Sequence, residues 1–517
     1  MTIDSPTPTT WLTAARRTAD LAALHAEPDV DVLVIGGGVT GTGIALDAAT
    51  RGLRVALVER ADLAAGTSRW SSKLVHGGLR YLASGAMGIA HESAVERGDL
   101  MRTIAPHLIR ALPQVVPLTG AIGARDAALT RVGFLAGDAL RIAARTPSSV
   151  LARSRRISAA QVISMAPTVR TTDLRGGLLN WDGALDDDAR LVIGIARTAA
   201  GHGARILTYC TASEVTGSAA KITDTRTGTP LTIRAKAVIN ATGVWSASVD
   251  PSVTLRPSRG THLVFSQDSF GGLSAGLTVP VPGTFGRYVF ALPQPDDRVY
   301  VGLTDEEADG EIPDEPTPAE SEIDFLLDTI NLALQTPLTR NDIRGTYAGL
   351  RPLLDSASGH TSDVSRKHAV LTRPDGLVTV VGGKLTTYRR MAQDAVDAAL
   401  AASGLDADSC RTREVALVGA AGATSVGDEV EPRLVAKYGA EATEITDLIA
   451  GNPALGKPVA AGTSITQAEL VFGVIAEGAL DVDDLLARRT RLSLTPEVAA
   501  AARPAAEAVL AEYGTRG

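Results

Sequence analysis

Apolar positions in this chain follow two rhythms. Short unbroken apolar runs at 31–35, 54–59, 205–207, 236–240 and 377–381 predict strands buried on both faces, the mark of a parallel sheet covered by helices. A glycine-rich turn and a helix to about residue 50 separate the first two, with Arg51-Gly52 punctuating the helix end. A further helix is expected over 190–201. This βαβ start places the chain in the doubly wound α/β class. Over 262–265, 288–292 and 299–303 apolar and polar residues alternate instead, which predicts an antiparallel sheet of the kind that covers a substrate. Residues 105–190 show no clear period. Beyond about residue 400 the chain is Ala-rich with a helical pattern and reads as a separate helical domain. Residues 11–26 predict a mildly amphipathic helix with Arg16 and Arg17 on its polar side, better packed on its own protein than laid on a membrane. The acidic stretch 305–324, with three prolines, reads as a solvated loop.

Composition narrows the class. The 517 residues suggest two to four domains, and 45% hydrophobic with 21% charged residues is ordinary for a globular chain. A net charge of −8 argues against non-specific nucleic-acid binding. Cys210 and Cys410 make no disulfide framework and no metal cluster, so both read as small buried hydrophobes in a reducing compartment. No apolar run approaches the roughly 18 residues of a membrane span. The start of the chain lacks the apolar core of a secretory signal.

The chemistry begins at Gly36-Gly37-Gly38-Val39-Thr40-Gly41, a G-x-G-x-x-G between a strand and a helix. Its glycines allow backbone N–H groups to approach a pyrophosphate, and the helix N-terminus adds partial positive charge. Glu59, at the end of the second strand, is placed to accept hydrogen bonds from a ribose. Together these predict a dinucleotide without separating NAD from FAD. The following run, Asp62 to Tyr81, is rich in hydroxyls and glycines and suits the wrapping of a long cofactor that stays bound.

That run resembles the signature of FAD-dependent glycerol-3-phosphate dehydrogenases of the bacterial, quinone-linked type: Thr67-Ser68, two residues, Ser71-Ser72-Lys73-Leu74, then His76-Gly77-Gly78-Leu79-Arg80-Tyr81. The likeness recurs at Asp187 to Val192, Asn240-Ala241-Thr242-Gly243, Gly260-Thr261-His262, Gly349 to Leu353 and Gly382-Gly383-Lys384-Leu385-Thr386, and so covers about 31–395. It implies an α/β fold: a doubly wound, Rossmann-like FAD-binding domain (31–105, 190–260 and 340–398), an inserted antiparallel-sheet substrate domain (106–189 and 261–339) and a C-terminal helical cap (399–517), after an N-terminal tail and helix (1–30). It implies non-covalent FAD held by the glycine motif with Val39 and Thr40, by Glu59 and Arg60, by Thr67, Ser68, Ser71, Ser72, Lys73, Leu74, His76, Gly77 and Gly78, by Ala241, Thr242 and Gly243, and by Gly382 to Thr386.

For the substrate, the resemblance implies sn-glycerol 3-phosphate. A phosphate needs planar cationic donors, and Arg80, Arg351 and Arg366 are the candidates. Tyr81 is expected to add a hydroxyl, His262 to act as general base with a pKa near working pH, and Lys384 to polarise the substrate oxygen or hold the flavin. Catalysis would then rest on His262, Lys384 and Arg351: a base takes the C2 hydroxyl proton, hydride passes to flavin N5, dihydroxyacetone phosphate leaves and electrons go to a quinone, menaquinone or ubiquinone. No metal is called for. The resemblance further implies a homodimer in the cytoplasm, peripheral on the inner face of the cell membrane. Two positions depart from the family: Trp70 stands where small residues are usual, and 182–186 replaces a more aromatic stretch. No calcium-binding D-x-[DN]-x-[DN]-G loop occurs. The rival readings are an oxidase that uses O2, a related flavoenzyme acting on hydroxy acids or amino acids, and an RNA-binding protein or scaffold. The basic turn at 481–492, with Arg488, Arg489 and Arg491, reads either as a contact to anionic lipid or as helix-surface salt bridges.

Overall fold

A computed structural model describes residues 8–78, 86–120, 123–284, 286–308, 310–355 and 367–514. The Arg80, Tyr81 and Arg366 candidates lie outside the described residues.

Two sheets organise the chain. The first runs, in spatial order, Ala369–Thr372, Val378–Val381, Thr229–Asn240, Asp29–Ile35, Val55–Val58 and Arg205–Leu207. Its four inner pairings are parallel, and only the edge strand Ala369–Thr372 runs against its neighbour. Six of the seven residues of Asp29–Ile35 and all of Val55–Val58 are buried, as unbroken apolar runs require. The helices Val39–Thr50, Asp188–Gly201 and Tyr388–Ser403 pack together against this sheet. A side hairpin, Cys210–Ser213 and Ala219–Asp224, extends from Thr229–Asn240.

The register decides where chemistry can sit. Ile35 pairs with Val58 on one side and Asn240 on the other, and Asn240 pairs with Thr379. The carboxyl ends of four parallel strands therefore share one edge, and Gly36, Glu59, Ala241 and Gly382 each follow within a residue or two of a strand end. That edge is where open α/β sheets bind ligands.

The second sheet is mainly antiparallel: Glu306–Glu307, Ser258–Ser266, Arg298–Gly302, Tyr288–Gln294, Gly276–Pro280, Ile109–Pro117, Gly177–Leu185 and Leu74–Val75, with Gly345–Arg351 and Arg155–Ile157 as side branches. Two strands assigned by sequence to the cofactor-binding segments belong here instead. Gly345–Arg351 hydrogen-bonds along Ser258–Ser266, and Leu74–Val75 pairs with Gly183 and Ala184. Both alternate too weakly over too few residues to reveal their sheet.

The C-terminal region forms its own core, built from the helices Pro432–Tyr438, Ala442–Gly451, Gln467–Ile475 and Pro496–Tyr513. Trp11 reaches into it and meets Phe472 edge-on at 6.1 Å. The helix Ala14–Ala26 lies on its own chain: Arg17 donates to Thr208 O and to Asp224 Oδ1 at 2.7 Å, and Arg16 donates to Ala200 O. The basic turn is not a lipid contact. Arg488, Arg489 and Arg491 are buried, and Arg488 and Arg489 both hold Asp62, at 2.7 and 2.6 Å. Cys210 is buried, but Cys410 is only partly so. Among the described residues no helix is long and apolar enough to cross a membrane, and no group of His, Cys, Asp and Glu forms a metal site.

Candidate active site

A cavity of about 1020 Å³ opens between the two sheets. Gly36 begins its cofactor-facing wall. Its φ of +112° is glycine territory, and a Cβ there would stand 2.6 Å from the Ala241 carbonyl oxygen, so the two turns touch backbone to backbone. The helix Val39–Thr50 starts at this space, with Gly38, Val39 and Thr40 lining it. Gly37 N–H donates to Glu59 Oε2 at 2.6 Å and Val39 N–H donates to Ser68 Oγ at 2.9 Å. Glu59 also accepts from Ala61 N–H at 2.9 Å. Burial pushes the Glu59 carboxyl upward, and these two N–H donors pull it back.

Most of the residues singled out in the sequence line this cavity: Gly36, Gly38, Val39, Thr40, Glu59, Arg60, Thr67, Ser68, Ser71, Ser72, Leu74 and His76, then Ala241 to Gly243, Gly382 to Thr386, and His262 with Arg351. Gly41, Lys73, Gly77 and Gly78 do not. Gly41 packs the helix start against Gly36, and Gly77 lies against Arg97 with its N–H given to Asp182. Lys73 is a buried cation paired with Asp188 at 2.8 Å; burial and nearby Arg491 lower its pKa to about 8, against the pull of Asp188. It fixes the loop from behind and does not line the cavity.

The opposite wall comes from the second sheet. His262 on Ser258–Ser266 is cross-strand from Tyr347 and stacks on it, ring centroids 4.6 Å apart and planes nearly parallel. Its Nε2 shares a 2.8 Å hydrogen bond with Ser72 Oγ. Burial, with Lys73 and Arg351 nearby, holds the imidazole well below its usual pKa, so it is neutral at pH 7. Arg351 pairs in register with Ser258, and its guanidinium lies across Gly260, where any side chain would collide with it. It donates to Thr304 O at 3.1 Å and to Ser258 Oγ and Asp305 Oδ1, each at 3.2 Å. Lys384 donates to Ser93 Oγ at 2.7 Å. Trp70 stacks on Tyr347 at 5.7 Å and fits because Gly349 leaves room beneath it. The 182–186 departure carries a buried pair, Asp182 with Arg97 at 2.5 Å; burial raises the Asp182 carboxyl.

Sequence reasoning passed over several lining residues. Trp245 stands under Arg60 at 4.6 Å and against Gly66. Gln114 is a buried polar residue within an apolar strand, a signal that was available. Asp314 and Glu315 line the cavity from the acidic stretch read as a solvated loop: Asp314 holds Arg60, and Glu315 holds Arg69 at 2.5 Å.

The model of the FAD dependent oxidoreductases matches residues 31–389, and that of the C-terminal domain of alpha-glycerophosphate oxidase matches 410–515. Glycerol-3-phosphate dehydrogenase 1 of Mycobacterium tuberculosis is 57% identical over 493 residues, spanning 94% of this chain and 95% of that one. The chain belongs to the FAD-dependent oxidoreductases, within the glycerol-3-phosphate dehydrogenase family. The crystal structure of the glycerol-3-phosphate dehydrogenase from Bacillus halodurans, complexed with FAD, superimposes with a TM-score of 0.72 at 27% identity, covering 98% of this chain and 96% of that one. L-alpha-glycerophosphate oxidase from Mycoplasma pneumoniae shares the fold, with a TM-score of 0.56 at 18% identity over 75% of this chain.

FAD is the cofactor of this flavoprotein. The cavity suits it: Gly36 and the Ala241–Gly243 turn press together at one strand edge, a helix N-terminus faces the space, and the half-buried Glu59 directly follows the second strand.

Proposed function

We propose that this enzyme oxidises sn-glycerol 3-phosphate to dihydroxyacetone phosphate and passes the electrons to a quinone. One observation carries the reading: the dinucleotide-type edge of the first sheet and the His262, Arg351 and Lys384 group face the same cavity. The dehydrogenase names of its relatives agree with it.

In this reading FAD, held non-covalently by the glycine turns, Glu59, the 67–76 loop and Gly382 to Thr386, supplies a two-electron acceptor. Arg351, with Arg80, Tyr81 and Arg366, binds the phosphate and positions C2. His262 takes the C2 hydroxyl proton on whichever nitrogen faces the substrate; its depressed pKa keeps it unprotonated at neutral pH. Lys384 stabilises negative charge developing on the substrate oxygen or beside it. The domain division given above, with Leu74–Val75 and Gly345–Arg351 moved to the antiparallel-sheet domain, a homodimer and attachment to the inner face of the cell membrane belong to the same proposal.

The test is anaerobic addition of sn-glycerol 3-phosphate to the purified yellow protein. The flavin band, at roughly 450 nm for any FAD protein, should bleach. A bound flavin that stays oxidised would remove the substrate assignment. Re-oxidation by a quinone analogue supports the dehydrogenase, whereas faster re-oxidation by air would favour an O2-using oxidase.

A further inference from the structure

The acidic stretch between Glu306–Glu307 and the helix Glu320–Asn331 is anchored at both ends on the second sheet. Glu306 and Glu307 pair with Arg259 and Ser258, while Ile323, Leu326 and Ile330 of the helix pack into the core of that sheet. Its middle, 311–318, does not stay there. It reaches the cofactor side, where Asp314 holds Arg60 and Glu315 holds Arg69. Arg60 directly follows Glu59, and Arg69 belongs to the loop expected to wrap the cofactor. Asp314 and Glu315 are exposed and also line the cavity, so they stand at its rim.

The two fastenings differ in depth. Arg60 is exposed and lies over the Trp245 ring at 4.6 Å, so its pair with Asp314 is a surface bridge. Arg69 has only 3% of its side chain exposed, whereas its partner Glu315 has 68%. A buried guanidinium answered by a carboxylate that reaches in from the surface is no ordinary loop contact. Burial, then Arg491, lowers the Arg69 pKa to about 10, and Glu315 opposes them. Pulling Glu315 away therefore leaves a buried cation beside Arg491 and Arg488 without that compensation. Pro313, Pro316 and Pro318 flank the two acids. Proline fixes φ, so this segment gains little conformational freedom on release and loses little on refastening.

We propose that 311–318 is a strap that closes over FAD, fastened by these two ion pairs, and that unfastening it limits how fast the cofactor leaves. The inference rests on FAD occupying this cavity and not on the substrate or the electron acceptor.

The experiment times FAD release from the diluted holoprotein by the rise of flavin fluorescence, at low and high salt. Salt screens the fastenings, so release from the parent should quicken with it. At low salt, Asp314→Asn should quicken release by about two- to fivefold, as for one surface pair. Glu315→Gln should quicken it by about tenfold or more, because Arg69 is buried. The double variant should lose most of the salt response. Glu320→Gln with Asp324→Asn removes the same charge from the adjoining helix, where both acids pair with exposed Arg340, and should release FAD as the parent does. Salt-independent release from the parent, or variants that release at its rate, would overturn the strap. The parent's response needs no substitution, so a variant that fails to fold does not shield the strap from this test. Slower release from the variants would also overturn it, since the acids would then only repel the phosphates of FAD. So would equal quickening by the helix control. A purified protein without flavin would bring down the cofactor assignment and the strap together, whereas bound flavin that leaves at unchanged rates sinks the strap alone.

Discussion

His262 combines a base's position with a weakened basicity. Burial and two nearby cations disfavour its charged form, so a proton it accepts must be passed on at once or stabilised by Asp188 behind Lys73. The sign is definite. An ordinary histidine begins to lose its base form as pH falls toward about 6.5, whereas this one stays neutral further down. Replacing His262 by Gln should lower the rate of anaerobic flavin bleaching by about 10²- to 10⁴-fold while the flavin stays bound. In the parent, that rate should not titrate with a midpoint near 6.5. A histidine that only packs would leave the rate within a few-fold. Much of this was legible in the chain, since Gly260-Thr261-His262 was singled out with Arg351. The Asp305 that shares Arg351 was not, and Ser72 was singled out for the cofactor but not as the partner of the imidazole. Those contacts join residues 46 and 190 positions apart, and no local pattern encodes them.

At the scale of elements, the glycine turns and the buried strands were readable because one local rule, an apolar run followed by small residues, dictates both. The arginine turn shows the opposite case. A run of arginines at 488–491, following Asp481, Asp483 and Asp484, looks like a solvated helix surface carrying local salt bridges, and Arg488 does pair with Asp484. Its other partner, Asp62, lies 427 residues away from Arg489 in the turn after the second strand. Burial would raise the Asp62 carboxyl, but Arg489 and Arg488 outweigh burial and hold it below the usual range. This pair ties the helical domain to the cofactor-binding sheet. Removing one partner of such a buried pair leaves a charge without compensation, so Asp62→Ala should cost about 3–5 kcal/mol. Chemical denaturation followed by flavin fluorescence would read it. A loss below about 1 kcal/mol would mean that the pair contributes no more than a surface bridge.

Across the whole molecule, the two sheets and the helical domain meet in the stretch after Ile104, where Leu417 N–H donates to the Ile104 carbonyl at 2.9 Å. His107 stands at that junction against Gly419, and its Nδ1 has no hydrogen-bond partner among the described residues. Burial first, and Arg190 second, lower its pKa from 6.5 to about 4. The unfolded chain therefore takes up a proton that the folded chain refuses between these values. Stability from this group is fully present above about 6.5 and is lost as pH falls toward 4. Asp186 works the other way: burial raises it to about 6, so its contribution is present in acid and fades as pH rises from 3.8 through 6. The two slopes oppose each other, and the parent's acid response alone identifies neither. His107→Gln removes only the first. Between about pH 7 and pH 5, the parent should lose about 2 kcal/mol more than this variant, read from denaturant midpoints at each pH. If both lose the same amount, His107 is protonated in the fold, and the junction opens to water more readily than its burial implies.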